Sequence, residues 1–304
     1  MQADLYIESV LAKCEALKQS GIWAPEPHVR PEAWLANFKD PSDRLMAAIV
    51  LDNFIFYSDR ASARLLSAAF NRLHDALLLG RLGAPNGASV DVDALRFAPV
   101  EGEHPRPTDS GNTICKRLRD TVELSDSCFL SPAAALEAAI AGAPIVFVDD
   151  IVGSGQQLTT TWHRQYREQP PRSFSEAFRA NPFAAFCIAI VATETALSNV
   201  AADAAPIKLI VAHVLDASYS VEHLDAPPLT PPIADFPAKL ETFLARHASA
   251  LTLDHFLQSG KQPLYGFHEL GLLFAMQGGV PDCTVPLCWA AGPGQWVRLV
   301  RKNV

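Results

Sequence analysis

Residues 144–158 read PIVFVDDIVGSGQQL, and few backbones can accommodate that run. The apolar residues 145–148 suit a strand buried on both faces of a sheet. Two adjacent acids, Asp149 and Asp150, close it. The carboxyl ends of parallel strands are where open α/β sheets bind ligands. Ile151, Val152, Gly153, Ser154, Gly155, Gln156 and Gln157 must then turn into a helix, with Gly153 and Gly155 permitting positive φ. The unsatisfied N–H groups and dipole at such a helix start favour an anion by about 0.3–1 kcal/mol. Ser154 adds a hydroxyl donor, and the acids can accept from vicinal sugar hydroxyls. The expectation is a sugar-phosphate cradle.

Three other readings compete for this run. An Asp-Asp strand end also closes a Walker B site, but no GxxxxGK[ST] loop accompanies it. A dinucleotide loop needs a third glycine and a later acid, whereas here the acids come first. A purely structural turn leaves two acids at a buried strand end, which is costly without a partner or ligand.

The flanking sequence keeps the same rhythm. Residues 95–100, 185–192 and 207–216 are further apolar runs of strand length, and helical patterns occupy 112–124, 132–141, 156–168 and 193–203. Such alternation predicts an α/β fold with a parallel sheet covered on both faces. Upstream, 4–19 and 42–80 predict helices, the second with Leu45, Ile49, Phe56, Leu65, Leu66 and Phe70 near helical spacing. Trp34 and Phe38 look like the anchors of a short helix between them. GAPNGAS at 83–89 breaks this region from the core, and Pro227, Pro228, Pro231 and Pro232 mark an extended crossing before a helix at 234–250. The expected organisation is an N-terminal helical region at 1–82, a core at 83–225 and a C-terminal elaboration at 226–304 packed on the same domain.

The loop EGEHPRPTDSG at 101–111 follows the first core strand and faces the same sheet edge as the acids. Asp109 or Ser110 either caps the next helix, or Ser110, Gly111 and the helix amides meet a pyrophosphate. Lys116, Arg117 and Arg119 either form a solvated face or neutralise a diphosphate. Glu101 and Glu103 are candidates to assist magnesium. Thr193, Glu194 and Thr195, and likewise Asp216, Ser218 and Tyr219, follow strands and either cap loops or frame a base. His213, inside an apolar run, reads as a satisfied core histidine.

With 49% apolar and 19% charged residues the chain suits a soluble globular enzyme, and a net charge of −8 excludes a general basic coat for nucleic acid. The six cysteines show no CxxC and no metal-like pairing with histidine, so reduced thiols are expected. The first 18 residues form an amphipathic helix pattern rather than a signal peptide. No apolar stretch is long enough to span a bilayer, and the expected location is the cytoplasm.

Residues 145–157 resemble the phosphoribosyl-pyrophosphate (PRPP) signature of type I phosphoribosyltransferases. That resemblance implies that Asp149 and Asp150 contact the ribose hydroxyls while residues 151–157 hold the 5-phosphate. Gly153 and Gln157 stand where that family has Thr or Ser. From about Trp34 to Arg298 the pattern is similar to the PRTase-CE family, on WLANF, TDSGN, VDDIVGSGQQ followed by TTTW, YGF, VPDCTVPLCW and QW. The resemblance implies a phosphoribosyltransferase-like enzyme acting at C1 of a ribose 5-phosphate, in PRPP or a nucleotide, by transfer or glycosidic cleavage. It implies Mg2+ bound with the substrate diphosphate. It further implies an effector of anti-phage defence, with a partner such as a reverse transcriptase and its RNA. The alternative is a non-catalytic module that senses PRPP or a nucleotide and regulates a partner. VPDCTVPLCW has no evident chemical logic; its prolines and tryptophan suggest packing.

Overall fold

The computed structural model describes residues 2–102, 105–106, 109–252 and 264–301. In chain order the elements are α1 (Gln2–Gln19), α2 (Pro31–Leu35), α3 (Pro41–Asp52), β1 (Ile55–Tyr57), α4 (Asp59–Leu78), β2 (Arg96–Pro99), α5 (Ser110–Val122) and α6 (Pro132–Ile140). They continue with β3 (Ile145–Val152), α7 (Gln156–His163), α8 (Phe174–Ala180), β4 (Ala185–Thr193), α9 (Glu194–Asp203) and β5 (Ile207–Leu215). The chain closes with α10 (Phe236–Ala248), β6 (Phe274–Met276) and α11 (Pro286–Trp289). Two compact units result: Ala63–Leu215, and Met1–Ser62 together with Asp216–Val304. These limits differ from the sequence boundaries at 82/83 and 225/226, because the first and last segments of the chain pack into one unit.

The unit Ala63–Leu215 holds a fully parallel sheet in the order β2-β3-β4-β5, with Phe147 level with Cys187 and Cys187 with Leu209. The residues of α6, α7, α8 and α9 share one buried cluster with one face of this sheet. There, Phe147, Cys187 and Ala189 bury against Leu136, Leu158, Trp162, Phe174 and Val200. Each such large side chain contributes about 1.5–3 kcal/mol of burial. Trp162 stacks on Phe174 at 6.2 Å. Phe97, which alternates with Ala98 along β2, stacks on Phe129 at 5.1 Å and meets Phe70 of α4 at 6.2 Å. Central β4 is buried at every position, whereas outer β5 exposes Lys208 and Val214. His213 is accordingly half-buried on an edge strand rather than in the core.

The other unit is built around a two-stranded parallel pairing of β1 with β6. The helix expected over 42–80 is two helices with this strand between them. Asn53 closes α3, its N–H and side-chain amide both donating to Ile49 O, and the aromatic run that follows extends into β1. Phe56 keeps helical spacing but is a buried strand residue. Trp34 and Phe38 do anchor the α2 region, in edge contact at 5.1 Å.

The tail motif has a structural use. Trp34 Nε1 donates to Leu287 O at 3.1 Å, Trp289 Nε1 to Thr284 O at 3.0 Å, and Thr284 Oγ1 to Phe274 O at 2.6 Å. Gly266 of YGF sits at φ +76°, where a Cβ would stand 2.7 Å from Asp282 O. Thr284 is fully buried. Thr284→Val should therefore lower the unfolding free energy of this unit by about 1–2 kcal/mol, since it orphans the Phe274 carbonyl. Urea denaturation followed by tryptophan fluorescence measures it. No disulfide joins the six cysteines. Among the described residues, no helix is long and apolar enough to cross a membrane.

Candidate functional site

Strand β3 runs past the acids expected to close it, ending at Val152. Asp149 pairs with Ala189 and Ile151 with Val191, but the rung at Asp150 is missing. The amides there turn to carboxylates instead: Asp150 N–H donates to Asp149 Oδ1 at 2.9 Å, and Ile151 N–H to Asp150 Oδ1 at 2.8 Å. The two carboxyl groups also hydrogen-bond each other, and Ser110 of α5 donates to Asp150. Burial holds both acids above the ordinary carboxylate range, Asp149 furthest, with the charge of Asp150 adding to its rise. Asp149 is buried and Asp150 half-buried, and two carboxyls this close disfavour each other's ionisation.

The loop after β3 rests on α9. Thr193 donates its hydroxyl to Gly153 O and caps α9 by accepting Ala196 N–H at 3.0 Å. Asn199 Nδ2 donates to Ser154 O at 2.9 Å, and Ser154 Oγ accepts Gln156 N–H at 3.3 Å. Gly155, at φ +81°, is the residue before α7, and a Cβ there would lie 3.1 Å from Val200 Cγ2. Gly153, expected to share this freedom, is not at positive φ. With glycine as its cap, α7 starts without a capping side chain; Gln156 and Gln157 are exposed while Leu158 turns into the core. Ile151 is half-buried and Val152 buried. α7 ends at His163, so the helix expected to reach residue 168 stops short.

On the α5 side, Gly111 is buried, and a Cβ there would meet Val100 O at 2.3 Å. Asp109 occupies the cap position without capping: its carboxylate accepts the N–H groups of Arg106 at 3.0 Å and Gly102 at 3.4 Å. Lys116 is exposed, six residues into the helix and about 9 Å along its axis from Ser110; half-buried Arg117 follows it. Ser110, at the start of the helix, is the α5 residue beside Asp150. Arg119 is paired with Asp120 and Asp126. Glu101, a candidate to assist magnesium, accepts from Arg164 at 2.8 Å and Tyr166 at 2.9 Å through its Oε2. Glu103 lies outside the described residues. Glu194 and Thr195 are exposed, while Asp216 folds onto Ser218 in the other compact unit.

Sequence reasoning missed Thr193 and Asn199 as supports of the loop, since their partners lie 40 and 45 positions away. The family model for PRTase-CE matches residues 31–302. The chain belongs to the PRTase-CE family. No curated protein matches it. Among solved structures, this PRTase-CE chain is similar to the AQ2163 protein from Aquifex aeolicus, at 12% identity and a TM-score of 0.32. The match covers 72% of this chain and 96% of that one, and is too distant to carry an argument.

Proposed function

We propose that this PRTase-CE protein binds a ribose 5-phosphate, as PRPP or a nucleotide, and acts at its C1. The observation that carries the reading is the adjacent pair Asp149–Asp150 at the end of β3, whose carboxylates accept the amides of Asp150 and Ile151 where the ladder skips a rung, just before the start of α7. Buried acids in contact are costly until a ligand brings donors, and vicinal ribose hydroxyls are donors of the right spacing. Amides of residues 151–157 would hold the 5-phosphate, and Ser110 and Gly111 at the start of α5 would meet a diphosphate. As the bond at C1 loosens, positive charge develops there, and the two carboxylates stabilise it in place.

Magnesium fits this arrangement as a companion of the diphosphate. Mg2+ commonly binds through one or two carboxylates plus substrate phosphates, and among the described residues no cluster of three ligating side chains exists. Asp149 and Asp150 would hold it, and it would neutralise the departing diphosphate. The family resemblance further supports a role as an effector in anti-phage defence, with a partner such as a reverse transcriptase and its RNA. Phage plating on cells carrying wild type or Asp149→Asn tests that role.

Incubation with Mg2+ and PRPP or nucleotides should release pyrophosphate or free base. Asp150→Asn should cut the rate by a factor of about 100 or more. An unchanged rate in that variant would sink the assignment; binding without turnover would favour a sensing role.

A further inference from the structure

A second polar network in the unit Ala63–Leu215 joins the chain leaving β2 to α7 and the residues after it. Arg164, which follows α7, sends Nη1 to Glu101 Oε2 at 2.8 Å and Nη2 to Gly102 O at 2.7 Å. Tyr166 OH donates to the same Glu101 oxygen at 2.9 Å. Glu101 N–H donates to Oγ1 of fully buried Thr161, within α7, at 3.0 Å. The side chains of Arg164 and Glu101 are only 18% and 19% exposed. Tyr166 is itself held, with its ring 5.7 Å from Phe174 and its N–H on Arg172 O.

These bonds join two parts of the site that are far apart in sequence. The loop leaving β2 is gripped at its start by α7 and the residues after it. At its far end Asp109 gathers the amides of Gly102 and Arg106, and the next residue, Ser110, reaches Asp150. α7 begins where the loop 151–157 ends. α7 therefore follows the phosphate loop at its amino end, and Thr161 within it and Arg164 and Tyr166 just after it hold Glu101 and Gly102.

We propose that Glu101, Arg164 and Tyr166 are positioning residues, which lock the chain just after β2 onto α7 and the residues after it, so that the loop 151–157 and Ser110 at the start of α5 keep one geometry. The proposal rests on the ribose-phosphate reading of the site. Ribose 5-phosphate needs the acids and residues 151–157; PRPP also places a diphosphate against the start of α5. Loosening the lock should therefore separate the two ligands. A lysine cannot make both bonds of Arg164, and phenylalanine removes one hydroxyl of Tyr166 with little change of shape.

The test titrates wild type, Arg164→Lys and Tyr166→Phe with PRPP and with ribose 5-phosphate, both with Mg2+. Hydrogen exchange at Glu101, Gly102 and Arg106 is followed in parallel. In the variants, PRPP affinity should fall about tenfold while ribose 5-phosphate affinity stays within about twofold. Exchange at the three amides should quicken while β4 amides keep their rates. Equal losses for both ligands, or no loss for either, would overturn the proposal, as would unchanged exchange. If wild type binds neither ligand, the ribose-phosphate reading fails, and the exchange rates alone decide whether the lock exists.

Discussion

Asp149→Asn is expected to give a protein that resists unfolding better than wild type and no longer holds its ligand. The asparagine Oδ1 can still accept Asp150 N–H, and its Nδ2 can donate to the Asp150 carboxylate. The variant thereby removes a buried ionisable group without orphaning its neighbours, a gain of about 1–3 kcal/mol in unfolding free energy. The sign of the pH dependence follows from the raised acids. In the folded state the pair keeps a proton that the unfolded chain releases near about pH 4. Above that pH the native state binds more protons than the unfolded one, so stability falls as pH rises through the folded-state value. Thermal unfolding between pH 5 and pH 8 should show this decline in ligand-free wild type and a flatter line in Asp149→Asn. PRPP with Mg2+ should stabilise wild type alone. A variant less stable than wild type at every pH would rule out a raised, destabilising acid at this position.

Gly111→Ala is the second large effect. Its methyl group would sit 2.3 Å from the Val100 carbonyl oxygen and 3.1 Å from Pro99 Cβ, so the obstruction is backbone rather than a movable side chain. Either the start of α5 or the end of β2 must shift. The expected cost is about 2–4 kcal/mol, read as a lower denaturation midpoint. A displaced α5 would also take Ser110 from Asp150, so ligand binding should be lost even under conditions where the variant folds. Lys116→Ala, on an exposed helix position, should stay within about 0.5 kcal/mol and serves as the control. A wild-type midpoint for Gly111→Ala would show that the helix and strand do not approach so closely.

The parallel sheet was legible because its strands are continuous apolar runs, a pattern that only two-sided burial produces. Asp149, Asp150 and Gly155 were legible for a related reason: their spacing is local, and turn chemistry acts over a few residues. The short strands β1 and β6 were not. Each is three residues long, and Phe56 falls at a helical interval from Ile49, so local periodicity favours one long helix. Only pairing with a distant segment makes these residues a strand. Glu101 shows the same limit within the site. A glutamate in a polar loop near two acids reads as a magnesium ligand, yet its partners Arg164 and Tyr166 lie 63 and 65 positions away. What touches a side chain across such separations is decided by the folded chain alone.

The joining of the first and last segments into one unit bears on how the protein is made. Trp34 must wait for a carbonyl 253 positions later, and β1 has no strand to pair with until β6 has been synthesised. On the ribosome, Ala63–Leu215 emerges as an uninterrupted stretch that contains all of its own sheet, and it can fold while the rest is still being translated. The helices made first are completed last, and a chain that stops before residue 274 leaves their apolar faces uncovered for chaperones and proteases to find.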